Sequence, residues 1–154
     1  MRKLMFILLL LPVAIGLSNV SWAQMTPDPT HWSYEVKKKS GDQYELIFHL
    51  KLDEKWHIWS MKPGGDGFEI PPSFTFKNTP GIKTIGTIKE MGQPKTETME
   101  GVDGAVTFFS GNVDYVQTIS AKGKLKISGS HEYQVCNDNM CLPPKTQQFE
   151  FDIK

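Results

Sequence analysis

The chain has 154 residues, with 17 basic side chains balanced by 17 acidic ones and two cysteines. The length suits one domain large enough to bury a real core. The dispersed, balanced charge makes nucleic acid a poor partner, because there is no basic stripe to meet phosphates.

The amino terminus opens with Arg2 and Lys3, continues through an apolar run from Leu4 to Leu17, and reaches the small-x-small site Ser21-Trp22-Ala23. That order predicts a signal peptide over residues 1–23, with the mature chain starting at Gln24. Pro12 and Gly16 interrupt the run, which also falls short of the roughly 20 residues a spanning helix needs. No lipobox cysteine and no second apolar segment follow, so the mature product is expected to be soluble, with no membrane span. Residues 24–154 are expected to form a single exported domain, periplasmic or equivalent, in a setting where a disulfide persists. Two cysteines allow one bond.

Downstream, the residues alternate. An extended run from Trp32 to Val36 precedes the clearest strand, where Tyr44, Leu46, Phe48, Leu50 and Leu52 interleave with Gln43, Glu45, His49 and Lys51. Further runs cover Trp56 to Met61, Phe74 to Phe76 and Ile82 to Ile88. The stretch from Lys89 to Gly104 is polar, with little alternation, and reads as a long loop of the kind that often carries function. Extended runs resume at Ala105 to Phe109, Val113 to Ile119, Leu125 to Ile127 and Tyr133 to Val135. The chain closes with Phe149, Phe151 and Ile153 facing opposite Glu150, Asp152 and Lys154. Turn formers such as Ser40-Gly41-Asp42, Asn78-Thr79-Pro80-Gly81 and Ala121-Lys122-Gly123 separate the runs. Many short amphipathic strands predict an all-β antiparallel sandwich of immunoglobulin-like type, with a jelly roll as the alternative.

The segment from Tyr133 to Pro144 carries the chemistry. Cys136 and Cys141 flank Asn137-Asp138-Asn139-Met140, and a tight turn with a cysteine on each arm brings cross-strand α-carbons to roughly 4.5–5.5 Å, within disulfide range. Two uses of the bond stand side by side. As a clamp, a loop this short contributes only about 2 kcal/mol, whereas a sandwich gains more by stapling its two sheets. As a redox pair, it needs an accessible sulfur. Pro143 and Pro144 supply one argument for access, because proline is confined to sheet edges, where a partner's thiolate can approach; edge prolines also guard against aggregation. Asp138 and no basic residue lies between the cysteines, so nothing local lowers a thiol pKa. Cys136, Met140 and Cys141 would also suit copper(I), but on a regular strand the nearest imidazole, His131, points away from Cys136. His49 and His57 read as surface strand residues, and Trp56 and Trp59 as core and rim.

The pattern Tyr133-Gln134-x-Cys136, a short spacer, then Cys141-x-Pro143-Pro144, resembles the amino-terminal periplasmic domain of the thiol:disulfide interchange protein DsbD. Trp56-His57-Ile58-Trp59-Ser60 resembles the aromatic strand of that family, and the likeness runs from about Pro29 to Lys154. The resemblance implies an immunoglobulin-like domain with a reversible disulfide and no metal or organic cofactor. It implies a component of a protein-disulfide reductase that takes electrons from a thioredoxin-like or membrane thiol reductase and passes them to oxidised periplasmic proteins. By the same likeness Cys141 forms the mixed disulfide and Cys136 resolves it, with Tyr133, Gln134 and Pro143 in support. A cap loop is implied at Glu90-Met91-Gly92-Gln93-Pro94, where the family's aromatic residue is missing, so that either Met91 shields the sulfurs more loosely or capping is absent. The spacer is one residue shorter than in the best-known member. Because the chain stops at Lys154, either the donor is expected to be a separate protein or the reductase role is lost. The contrasting reading is a non-enzymatic immunoglobulin-like binding module with a structural disulfide.

Overall fold

The computed structural model describes residues 28–154, and the predicted signal peptide and the boundary at Gln24 lie outside them. The alternating stretch around Phe48 is strand β2 (Gln43–Leu52), which buries Tyr44, Leu46, Phe48, Leu50 and Leu52 on one face. Its partners are β1 (Thr30–Lys38) on one edge and β6 (Ala105–Ala121) on the other. β3 (His57–Gly64) pairs with the first part of β6, and the two-residue β8 (Val135–Cys136) pairs with β3. β5 (Ile82–Thr98) pairs along the length of β6. The result is a six-stranded sheet in the order β1-β2-β6-β3-β8, with β5 also on β6. A second, three-stranded sheet has the order β4-β7-β9, from β4 (Ser73–Phe76), β7 (Leu125–Tyr133) and β9 (Lys145–Ile153).

Each sheet is apolar on one face and must cover it. Leu46, Phe48, Leu50, Val113, Tyr115 and Ile119 of the large sheet share one core with Ile127, Phe149, Phe151 and Ile153 of the small one. Phe48 meets Phe149 and Phe151 edge-on at centroid distances of 4.8 and 5.0 Å, the arrangement ring quadrupoles favour. Every strand pairing is antiparallel. The fold is the predicted immunoglobulin-like sandwich.

The predicted elements change in three places. Lys89 to Gly104 is not a long loop: β5 continues to Thr98 and hydrogen-bonds β6 as far as Thr98↔Ala105. From Met91 to Thr98 both faces of β5 are exposed, so no face requires apolar residues and the alternation vanishes. Pro94 is tolerated because β5 pairs only with β6. The runs at Ala105 and Val113 are one strand, continuous through Gly111. Leu125 to Tyr133 is likewise one strand, and the chain crosses between sheets at Gln134, leaving Tyr133 in one sheet and Cys136 in the other.

Candidate functional site

At the β3, β6 and β8 end of the large sheet, side chains are buried on both faces. Ile58, Phe109 and Val135 point inward and join the main core. Their chain neighbours Trp59, Phe108 and Cys136 point the other way and form a second buried cluster with Val106. Since successive side chains alternate faces, this outward cluster needs a cover of its own. The tip of the β5–β6 hairpin supplies it, with Met99 and Val102 packed against the cluster.

Two hydrogen bonds anchor that tip. Gly65 N–H donates to the Ala105 carbonyl at 3.2 Å, and Asp103 N–H donates to Asp66 Oδ2 at 3.3 Å. Gly64 makes the approach possible: its φ is 80°, and a β-carbon there would stand 2.7 Å from the Ala105 carbonyl oxygen.

Cys136 ends β8 and meets Cys141 across a turn built by Asn137. The Asn137 Oδ1 accepts from the N–H groups of Asn139 and Met140, each at 2.9 Å, and Asn137 N–H donates to the Met140 carbonyl at 2.8 Å. On the far side of the cysteines, Leu142 N–H donates to the Val135 carbonyl at 2.9 Å and Gln134 Nε2 donates to the Leu142 carbonyl at 3.0 Å. The cysteines therefore occupy a non-hydrogen-bonded position between two rungs, the narrow kind of cross-strand pair. They are disulfide-bonded, with α-carbons 3.9 Å apart, tighter than the roughly 4.5–5.5 Å expected from regular strands. Exposure divides them, since Cys136 is only 2% exposed and Cys141 is open to solvent. β8 is an edge strand, and Pro143 and Pro144 lead into β9, another edge strand.

His57 stands directly across from Cys136 in the β3–β8 ladder. Predicted as a surface residue, it is buried, because its strand is covered on both faces here. Its ring lies 4.9 Å from those of Trp59 and Phe108, and its Nε2 has no hydrogen-bond partner among the described residues. Burial pushes its pKa below the ordinary imidazole value, with Asp138 and Glu97 acting in the opposite direction.

The family described as thiol:disulfide interchange protein DsbD, N-terminal, matches residues 23–153. The chain belongs to this family. Among solved structures it is similar to the N-terminal periplasmic domain of ScsB from Proteus mirabilis, at TM-score 0.59 and 12% identity, covering 82% of this chain and 46% of that one. It is also similar to the reduced DsbD N-terminal domain of Neisseria meningitidis, at TM-score 0.53 and 12% identity, covering 78% of this chain and 83% of that one. This chain thus spans under half of the ScsB chain it matches, and likenesses at this identity speak to the fold alone. No curated protein matches in sequence. Membership of the DsbD amino-terminal family, together with a bonded cysteine pair, supports thiol:disulfide exchange as the class of chemistry. No helix among the described residues is long and apolar enough to cross a membrane.

The other residues singled out from the DsbD resemblance are scattered. Gln134 braces the cysteine turn and Pro143 leaves it. Tyr133 packs in the main core, with its hydroxyl 3.0 Å from Thr30 Oγ1. Glu90 accepts from Ser60 Oγ at 2.8 Å and from Met61 N–H at 2.7 Å, bracing β3 where its register slips beyond Trp59. Met91 is 58% exposed and sits opposite Asp114, well along β6 from Phe108. The apolar side chains over the Cys136 cluster are therefore Met99 and Val102, outside the stretch expected to hold the cap. His131 lies in the aromatic core, with Nε2 3.0 Å from the Tyr34 hydroxyl. Among the described residues no three His, Cys, Asp or Glu side chains converge as a metal site. Adjacent buried pairs, Ile58-Trp59, Phe108-Phe109 and Val135-Cys136, were the available sign of a sheet covered on both faces.

Proposed function

We propose that this chain is an exported, periplasmic thiol:disulfide exchange domain, residues 24–154 after removal of a signal peptide over residues 1–23. Its Cys136–Cys141 disulfide cycles between oxidised and reduced forms. Cys141 is the sulfur that partners attack and Cys136 the one that resolves the mixed disulfide. Electrons come from a thioredoxin-like or membrane thiol reductase and pass to oxidised exported proteins. No organic cofactor or metal takes part.

One observation carries this reading: the two halves of the bond differ in access, with Cys141 open and Cys136 buried. Thiol exchange proceeds by in-line approach of a thiolate to one sulfur while the other leaves, and this asymmetry supports attack at Cys141 with departure of Cys136. Trapping tests it. The Cys136→Ala variant is expected to retain a mixed disulfide between Cys141 and a thioredoxin-like reductant, whereas Cys141→Ala captures far less. The wild-type pair is expected to equilibrate with thioredoxin. A potential below about −300 mV, typical of structural disulfides, together with no trapping by either variant, would leave only a binding module.

A further inference from the structure

We propose that His57 is a positioning residue for the exchange, its imidazole holding the sulfur charge that Cys136 carries whenever the disulfide is open. The inference rests on the exchange reading above and adds a residue to it. Its basis is placement. His57 and Cys136 are direct partners in the β3–β8 ladder, so their side chains share one face with β-carbons about 4.5–5.5 Å apart. That face is the outward cluster of Trp59, Phe108, Val106 and the hairpin-tip residues Met99 and Val102. His57 is 8% exposed, and its Nε2 meets no acceptor or donor among the described residues. A buried nitrogen left without a partner is costly and calls for a use.

Opening the bond gives that nitrogen a use. A partner thiolate attacks Cys141 Sγ, a Cys141–partner S–S bond forms, the Cys136–Cys141 bond breaks, and the electron pair leaves on Cys136 Sγ. The new thiolate appears in an apolar cluster where water cannot solvate it, and a buried charge without a donor is costly. The adjacent imidazole supplies the donor, first as N–H and then, after taking one proton from water, as imidazolium. On the return step Cys136 thiolate attacks Cys141 Sγ, the partner leaves as thiolate, and His57 returns its proton to solvent. The charged groups facing His57 are Asp138 from the cysteine turn and Glu97 from β5. Lys95 of β5 shares the outward face through its pairing with Phe108, while β6 presents the uncharged Ser110 opposite His57. The two carboxylates favour the imidazolium, and while the disulfide is closed the ring stays neutral, so no unpaired charge is buried in the resting protein.

The test is the titration of Cys136 in a Cys141→Ser chain, followed by thiolate absorbance in the far ultraviolet. Adding His57→Phe is expected to move the Cys136 midpoint upward by at least one pH unit, a tenfold change in ionisation. His57→Gln, which keeps a neutral donor, is expected to recover part of it. A midpoint unmoved by His57→Phe overturns the proposal. Should His57→Phe fail to fold, NMR of the His57 ring in the Cys141→Ser chain decides: its shift must follow the Cys136 ionisation, and a ring indifferent to Cys136 overturns the proposal equally. Trapping by Cys141 in Cys136→Ala is a separate readout. If trapping succeeds while the titration is flat, exchange stands without His57; if trapping fails while the titrations are coupled, the pairing stands and the exchange reading falls.

Discussion

Burial fixes the charge state of His131. Its ring stacks on Phe74 and Tyr133, and desolvation lowers its pKa from 6.5 to about 4. The folded state therefore favours the neutral ring. That contribution is complete above the unfolded value of 6.5 and is lost as pH falls toward 4, with a ceiling of about 3 kcal/mol by linkage. His57 is shifted in the same direction. His49 runs the other way: burial lowers its pKa, but hydrogen bonds to Asp114 at 2.8 Å and Glu35 at 3.1 Å outweigh that and raise it. Its contribution is present below 6.5 and fades as pH rises through the folded value, and it is small because the group is partly solvated. Acid should therefore dominate. The urea midpoint is expected to drop between pH 7.5 and pH 4.5, and His131→Phe, though it loses the Tyr34 hydrogen bond, should flatten that drop. An equal slope in the variant would move the acid sensitivity to another group.

The β5–β6 hairpin belongs to the large sheet along most of its length and to the disulfide at its tip. Met99 and Val102 press on the outward cluster, while β5 beyond Glu90 is solvent-exposed. Replacing both with serine is expected to let a small dithiol reach Cys136 as well as the already open Cys141, and so to speed reduction of the disulfide severalfold. The unfolding free energy should change by less than about 1 kcal/mol, since each tip residue is already partly exposed. An unchanged reduction rate would mean the tip does not control access. The hairpin also shows where sequence periodicity stops being informative. β2 and β9 were readable because one face is buried and the other wet. β5 was not, because a strand wet on both faces carries no alternation. β3 misled in the opposite way, since four consecutive buried residues from His57 to Ser60 give no period-two signal and concealed the burial of His57. The cysteine turn was legible from Asn137 and the spacing alone, because a side-chain-closed turn is local chemistry. Its cover was not, because Met99 and Val102 arrive from a hairpin whose length no local rule sets.

A reversible disulfide requires a fold that survives without it. The bond closes a short loop, with a sequence separation of 5, and the chain-entropy model assigns it about 2 kcal/mol. The main core lies on the opposite face of the sheet and contains neither cysteine, so it keeps its packing when the bond opens. By contrast, truncating the fully buried Phe48 to alanine should cost about 3–5 kcal/mol. Stability and redox poise are linked: whatever the bond adds to the fold makes the folded pair harder to reduce by the same free energy. For a two-electron couple, about 2 kcal/mol corresponds to roughly 45 mV, so the folded pair should lie only that far below the same cysteines in the unfolded chain. The double variant Cys136→Ala/Cys141→Ala is expected to unfold cooperatively in urea with an unfolding free energy lower by about 2 kcal/mol and a correspondingly lower midpoint, its β-sheet circular dichroism intact in water. A chain that is unfolded once the bond is gone would make the disulfide a structural clamp and remove the basis for cycling it.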